Sequence, residues 1–294
     1  MPYGLILAVT RSMRLLQKIL DFFLFSNFFI AICATALVWE TYLLNGMPIS
    51  VRLGVMAFFA TLFVYNADSL LPYKFNQDVP LTPRMAWVQK NRLVLMAIAA
   101  TSAMCVFTLY WTAAFELSFW FMLHLAVVAG VYSIPVLPDR EGYIPLRDVP
   151  LLKVFLIAYV WSAITVQLPQ MEAGRDLFAA DSLILFVRRF LFIFALTLVF
   201  DIRDMQKDKL TGTVTFPGMW GIARTKRLAL MALLLFALLL PASVSWPVRI
   251  ALGLSAVAAA WVVWNAHEKR SYYYFLILAD GMMLLQFLLV WLLI

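Results

Sequence analysis

Three aspartates close together at the end of an apolar run are the residues best placed to do chemistry. Asp201, Asp204 and Asp208 stand in Phe200-Asp201-Ile202-Arg203-Asp204-Met205-Gln206-Lys207-Asp208. Their i, i+3, i+7 spacing puts all three on one face of a helix. Like charges so near one another repel unless a cation lies between them. Carboxylate oxygens at a membrane boundary are suitable ligands for Mg2+, which in turn clamps the oxygens of a diphosphate. The three are therefore the expected metal ligands. Arg203 and Lys207 share their segment and carry the opposite charge. A second polar cluster, Asn66 and Asp68, ends an earlier apolar run.

The elements that position these residues are apolar helices. The chain has 294 residues, 64% hydrophobic and 13% charged, with a mean hydropathy of +0.90. A soluble domain of that length could not hide so much apolar surface, so the composition dictates an integral membrane protein in the lipid bilayer. Nine segments are long and apolar enough to span. They cover 22–44, 49–70, 93–113, 117–136, 151–171, 183–200, 228–244, 248–266 and 272–294. Residues 1–20, with Arg11, Arg14 and Lys18, read as an interfacial amphipathic segment. Cys33 and Cys105 fall inside apolar runs and read as small hydrophobes rather than a disulfide or thiolate site.

The net charge of +7 needs no nucleic acid to explain it. With nine spans, eighteen of the Lys and Arg residues fall on one side of the bilayer and three on the other, leaving Arg188 and Arg189 within the sixth span. The positive-inside bias then sets the N-terminus in the cytoplasm and the C-terminus outside. No Ser/Gly linker divides the sequence, so 1–294 reads as one all-α transmembrane domain. The two most polar cytoplasmic loops, 72–92 and 201–227, follow the second and sixth spans. Their spacing of four spans predicts a duplicated layout around a shared central cavity.

The run Phe200 to Pro217, F-D-I-R-D-M-Q-K-D-K-L-T-G-T-V-T-F-P, resembles the second aspartate-rich motif of the UbiA superfamily of intramembrane prenyltransferases. Asp204 and Asp208 match that motif's Asp pair, Gly212 and Thr215 its trailing positions, and Asp201 an Asn or Asp one turn earlier. Tyr132-Ser133-Ile134-Pro135 resembles the family's tyrosine-containing turn. Leu146 to Lys153 resembles the lead-in to the fifth span, where a lysine sits near the site. The resemblance implies nine helices around a cavity, Mg2+ as cofactor, and a prenyl diphosphate and a lipophilic acceptor as substrates. Asp201, Asp204 and Asp208 would hold the metal. Arg203, Lys207 and Lys74 would meet the diphosphate, and Asn66, Asp68 and Lys153 would complete the catalytic wall. The bacterial plasma membrane is the expected location.

The first motif departs from the pattern. The family has an Asn followed by Asp four and eight residues on, and counting from Asn66 those positions are Leu70 and Lys74. Asp68 lies about 200° around the helix from Asn66, so it is no direct substitute. Pro72 ends the helix, and Asp78 lies in the loop beyond. Either one divalent cation is missing and Lys74 meets the diphosphate directly, or the half-site is retired and the protein binds an isoprenoid lipid or a membrane partner without turnover. Asp280, a carboxylate within the ninth span, is expected to pair with Arg188 or Arg189, or else to line the cavity. Glu40, near the outer boundary of the first span, carries no expected role.

Overall fold

A computed structural model describes residues 2–71, 82–112, 117–139, 142–241 and 244–294, with side chains from residue 14 onward. Lys74, Pro72 and Asp78 lie outside the described residues.

The first helix, α1 (Pro2–Phe25), meets α2 (Phe28–Leu44) at an angle of 54°. The joint is Asn27, a non-glycine residue with φ +68. The amphipathic start therefore continues into a helix longer than the expected segment 1–20. The chain then forms α3 (Val51–Ser69), short α4 (Pro83–Lys90), α5 (Arg92–Thr112) and α6 (Phe119–Ser133). Ser50, Thr82 and Ser118 start α3, α4 and α6 as N-caps, each side chain accepting from the backbone N–H three residues on. Pro83 occupies the first turn of α4, where its missing N–H is harmless.

A two-stranded antiparallel hairpin, β1 (Leu137–Asp139) with β2 (Gly142–Ile144), interrupts the expected all-α chain. After a 3-10 turn at Leu146–Asp148 comes α7 (Leu152–Ser162). It runs through a π-helical stretch, Ala163–Gln167, into α8 (Leu168–Glu172). Then follow α9 (Ala180–Leu210), α10 (Phe216–Trp220), α11 (Ile222–Leu238) and α12 (Trp246–Asn265). A second π stretch, Tyr274–Ala279, opens α13 (Asp280–Leu293).

Six described helical segments are long and apolar enough to cross a membrane, seven if the bent α1–α2 pair counts as one crossing. This is a multi-pass integral membrane protein. Each of the nine expected spans coincides with a helix, but α6 and α11 have only 15 and 17 residues. They rise about 22 and 26 Å, short of a hydrocarbon core of roughly 30 Å. By contrast, the 31 residues of α9 rise about 46 Å, so its end reaches past the apolar layer. That overhang carries Asp201, Asp204 and Asp208.

The core is centred on α9, which packs between α7 and α11, while α13 lies against α2 and α12. Phe192, Ala195, Leu198 and Val199 of α9 are buried among Ala158, Ala232, Phe236 and Ala259. Small residues let the backbones approach closely where lipid supplies no hydrophobic drive. On the outside, Leu93, Met104, Phe107 and Trp111 of α5 are two-thirds or more exposed, a surface suited to acyl chains. Gly54 lets α3 seat against the Trp39 indole, whose Nε1 donates to the Ser50 carbonyl at 3.2 Å. A methyl group there would overlap that indole. Gly54→Ala is expected to destabilise by about 1–3 kcal/mol, read as a lowered Tm in detergent.

Candidate functional site

The ends of α3, α7 and α9 and the start of α13 surround one chamber of about 330 Å³. That volume lies within the range of small-molecule sites, roughly 300–1,000 Å³. Its rim is charged: Asp68, Arg84, Arg147, Lys153, Arg203, Asp204, Lys207 and Asp208 all line it. Below them the lining turns apolar and aromatic, with Tyr65, Ile157, Trp161, Leu196 and Met283. Trp161 Nε1 donates to the Tyr65 hydroxyl at 3.1 Å, and the two rings meet edge to face with centroids 6.4 Å apart. A polar mouth over an apolar floor suits a molecule with an anionic head and a hydrocarbon tail.

The three aspartates of α9 have different surroundings. Asp201 is 2% exposed and lies behind the chamber wall, accepting from Lys153 Nζ at 2.8 Å. Leu151, with φ +60 just before α7, donates its N–H to the Val214 carbonyl beyond α9. This bond joins the two segments that carry Lys153 and Asp201. Asp204 lines the chamber and is held by Arg203, whose Nε and Nη2 each donate at 2.7 Å to a separate carboxylate oxygen. The Arg203 guanidinium also lies over the rings of Phe200 and Tyr272, 4.9 Å from each centroid. Asp208, one turn further, has a buried Oδ2 with no hydrogen-bond partner.

Across the chamber, Asp68 accepts from Ser133 Oγ at 2.8 Å and from Arg147 Nη1 at 3.3 Å. The polar ends of the second and sixth expected spans therefore face the same chamber. Lys207 and Lys153 also line it. Asn66 does not. It is wholly buried, its Nδ2 donating to the Ser26 and Leu62 carbonyls at 3.0 and 2.8 Å and its Oδ1 accepting from Asn27 Nδ2 at 2.9 Å. The expectation that Asn66 forms part of the reacting wall is corrected: every bond it makes is to the joint between α1 and α2 or to its own helix.

Of the two readings of Asp280 the cavity-lining one holds, and Glu40 gains a role. Asp280 lines the chamber from the start of α13 and pairs with neither Arg188 nor Arg189. Arg189 instead donates to Glu40 at 2.9 Å, with Glu40 fully buried and also bonded by Gln286 at 2.7 Å. Arg188 donates to the Leu239 carbonyl and lies over the Phe236 ring. Sequence reasoning also missed Arg84, Arg147 and Asn27 as site neighbours. Thr82-Pro83 was the available signal for Arg84, since a cap followed by proline starts a helix and puts Arg84 in its first turn.

The donor set fits a hard cation only in part. Among the described residues, no three His, Cys, Asp or Glu side chains gather into a metal cage. Asp201 and Asp204 each already face a cation, whereas the unpartnered oxygen of Asp208 is free to ligate. Mg2+ often takes one or two protein carboxylates and completes its shell with water and ligand phosphates, so one such ion at Asp208, beside Asp204, is chemically reasonable.

No family model and no curated protein matches this sequence. Among solved structures, the chain is similar to one described as digeranylgeranylglyceryl phosphate synthase in membranes. The TM-score is 0.57 and the identity 12%, over 94% of this chain and 98% of that one. At that identity the likeness is one of fold. Over nearly its whole length, the chain shares the fold of that structure.

Proposed function

We propose that this protein is a membrane prenyltransferase, moving a prenyl group from a prenyl diphosphate to a hydrophobic or aromatic acceptor. The observation that supports it is the chamber itself, with charge at the mouth and rings at the floor in a UbiA-like fold. The diphosphate head lies at the mouth among Lys207, Lys153 and Arg203, and the prenyl tail lies along Ile157, Trp161 and Met283. Asp208, with Asp204 beside it, would hold Mg2+, which when bound would supply Lewis-acid neutralisation of the departing diphosphate.

In the reaction, the allylic carbon–oxygen bond breaks and its electron pair leaves with the diphosphate. The Tyr65 and Trp161 rings face the positive charge that develops on the carbon. The acceptor's nucleophilic atom then bonds to that carbon and gives up its proton. The apolar floor keeps water from intercepting the cation. In this reading the chain crosses a plasma membrane nine times, with the N-terminus and the chamber mouth on the cytoplasmic side.

A second reading is a non-catalytic family member that holds an isoprenoid lipid. The pairing of Asp201 and Asp204 with cations favours it, as does Leu70 in place of an acid. Purified protein incubated with Mg2+, radiolabelled prenyl diphosphates of several lengths and a panel of acceptors separates the two. The enzyme releases labelled product. The binder retains intact donor, detected by native mass spectrometry, and forms none.

A further inference from the structure

The chamber's cations fall into two groups. Lys153, Arg147 and Arg203 each sit within 3.3 Å of a carboxylate. Arg84 and Lys207 line the same chamber, and among the described residues no carboxylate forms an ion pair with either. Among the described residues Arg84 bonds only to neutral oxygens, its Nη2 donating to Asn27 Oδ1 at 2.6 Å and to Ser69 Oγ at 3.4 Å. Its Nε is buried and has no partner. A guanidinium fixed by neutral acceptors, with Asp280 across the chamber beyond ion-pair distance, keeps its donors for a third party, and its planar fork matches two phosphate oxygens at once.

The aim of Arg84 is set from behind. Asn27 occupies the bend between α1 and α2, and its amide faces two ways. Its Nδ2 donates to Asn66 Oδ1, so its own Oδ1 must point the opposite way, toward Arg84. Asn66 cannot turn to release it, because both its amide hydrogens are committed to the Ser26 and Leu62 carbonyls. A flipped Asn27 would set an NH2 group against the guanidinium and leave two donors facing each other.

We infer that Arg84, aimed by the Asn66–Asn27 amide relay, is a built-in anchor for the ligand's phosphate head that works without a divalent cation. The inference rests on the chamber being a phosphate-head site, and it makes Asn66 and Asn27 positioning residues. It also gives a physical meaning to the loss of acids from the first motif. A wall with a guanidinium facing the ligand needs fewer carboxylates, because it needs no metal of its own.

Calorimetric titration of the full chain in detergent tests this, with inorganic pyrophosphate and with farnesyl diphosphate, each in Mg2+ and in EDTA. The wild type is expected to bind both ligands in EDTA as well as in Mg2+. Arg84→Gln should weaken both by about ten- to a hundredfold in either buffer, and Arg84→Lys should recover part of the loss. Asn27→Gly keeps the left-handed backbone that glycine adopts freely and removes only the amide. It should weaken binding about five- to tenfold, with no further loss when combined with Arg84→Gln. Unchanged affinity in Arg84→Gln, or wild-type binding that disappears in EDTA, overturns the metal-free anchor and leaves the prenyl diphosphate reading standing. A full second loss from Asn27→Gly on top of Arg84→Gln overturns the relay. Failure of the wild type to bind either ligand even with Mg2+ overturns the prenyl diphosphate reading, and the anchor with it.

Discussion

Asp208→Asn is expected to slow the release of diphosphate from a prenyl diphosphate by about a hundred- to a thousandfold. The substitution keeps the shape of the side chain and removes its charge. Of the three α9 aspartates, Asp201 is matched by Lys153 and Asp204 by Arg203, while Asp208 pairs with no cation among the described residues and its buried Oδ2 has no hydrogen-bond partner. Negative charge able to draw in a cation is thus concentrated at Asp208. The loss belongs to the bond-breaking step, so pyrophosphate affinity measured in EDTA should stay within about threefold of wild type. Single-turnover assays with radiolabelled donor check the first quantity and calorimetry the second. A turnover rate within threefold of wild type would remove Asp208 from the reaction.

Arg189→Leu carries the largest expected effect on stability. Arg189 and Glu40 form an ion pair away from the chamber, with Glu40 0% and Arg189 4% exposed. Removing one partner leaves a carboxylate buried with only Gln286 to bond it, at a cost of about 3–5 kcal/mol. Combining Arg189→Leu with Glu40→Gln should recover part of the loss, because the stranded carboxylate is then neutral and Gln286 keeps an acceptor, while buried Arg188 still loses the nearby acid. Equilibrium unfolding in mixed detergent micelles measures both variants. A single variant as stable as wild type would show that water or lipid headgroups already solvate the pair.

Local rules made the site's acidic wall and most of the helices legible in the sequence. The apolar runs announce the membrane helices because lipid demands about twenty consecutive apolar residues from each. The spacing of Asp204 and Asp208 announces a shared face because α-helical geometry fixes it, whereas Asp201 turns behind the wall to Lys153, a partner from another helix that spacing cannot foresee. Asp68 and Lys153 likewise reach the chamber from the ends of α3 and the start of α7.

The features that were not legible are those made by contacts remote in sequence. Glu40 and Arg189 are 149 positions apart, and no local pattern joins a lone acid in one helix to a base in another. Arg84 looked like one more topology-setting charge, because its role depends on where α4 returns to the bundle. Asn66 stands at a motif position and so looked like a reacting group, yet its neighbours turn it inward to the Asn27 bend. The short lengths of α6 and α11 were not legible either, because hydropathy counts apolar residues and cannot see where a helix stops.

The central claim is that an anionic isoprenoid head is held in this chamber. A structure of the full-length protein in lipid nanodiscs with Mg2+ and a non-cleavable prenyl thiodiphosphate addresses it directly. The predicted result is head density between Arg84, Lys207 and Asp208, with the tail running toward Trp161 and Met283. Density for the ligand anywhere else, with the chamber unchanged, would contradict it.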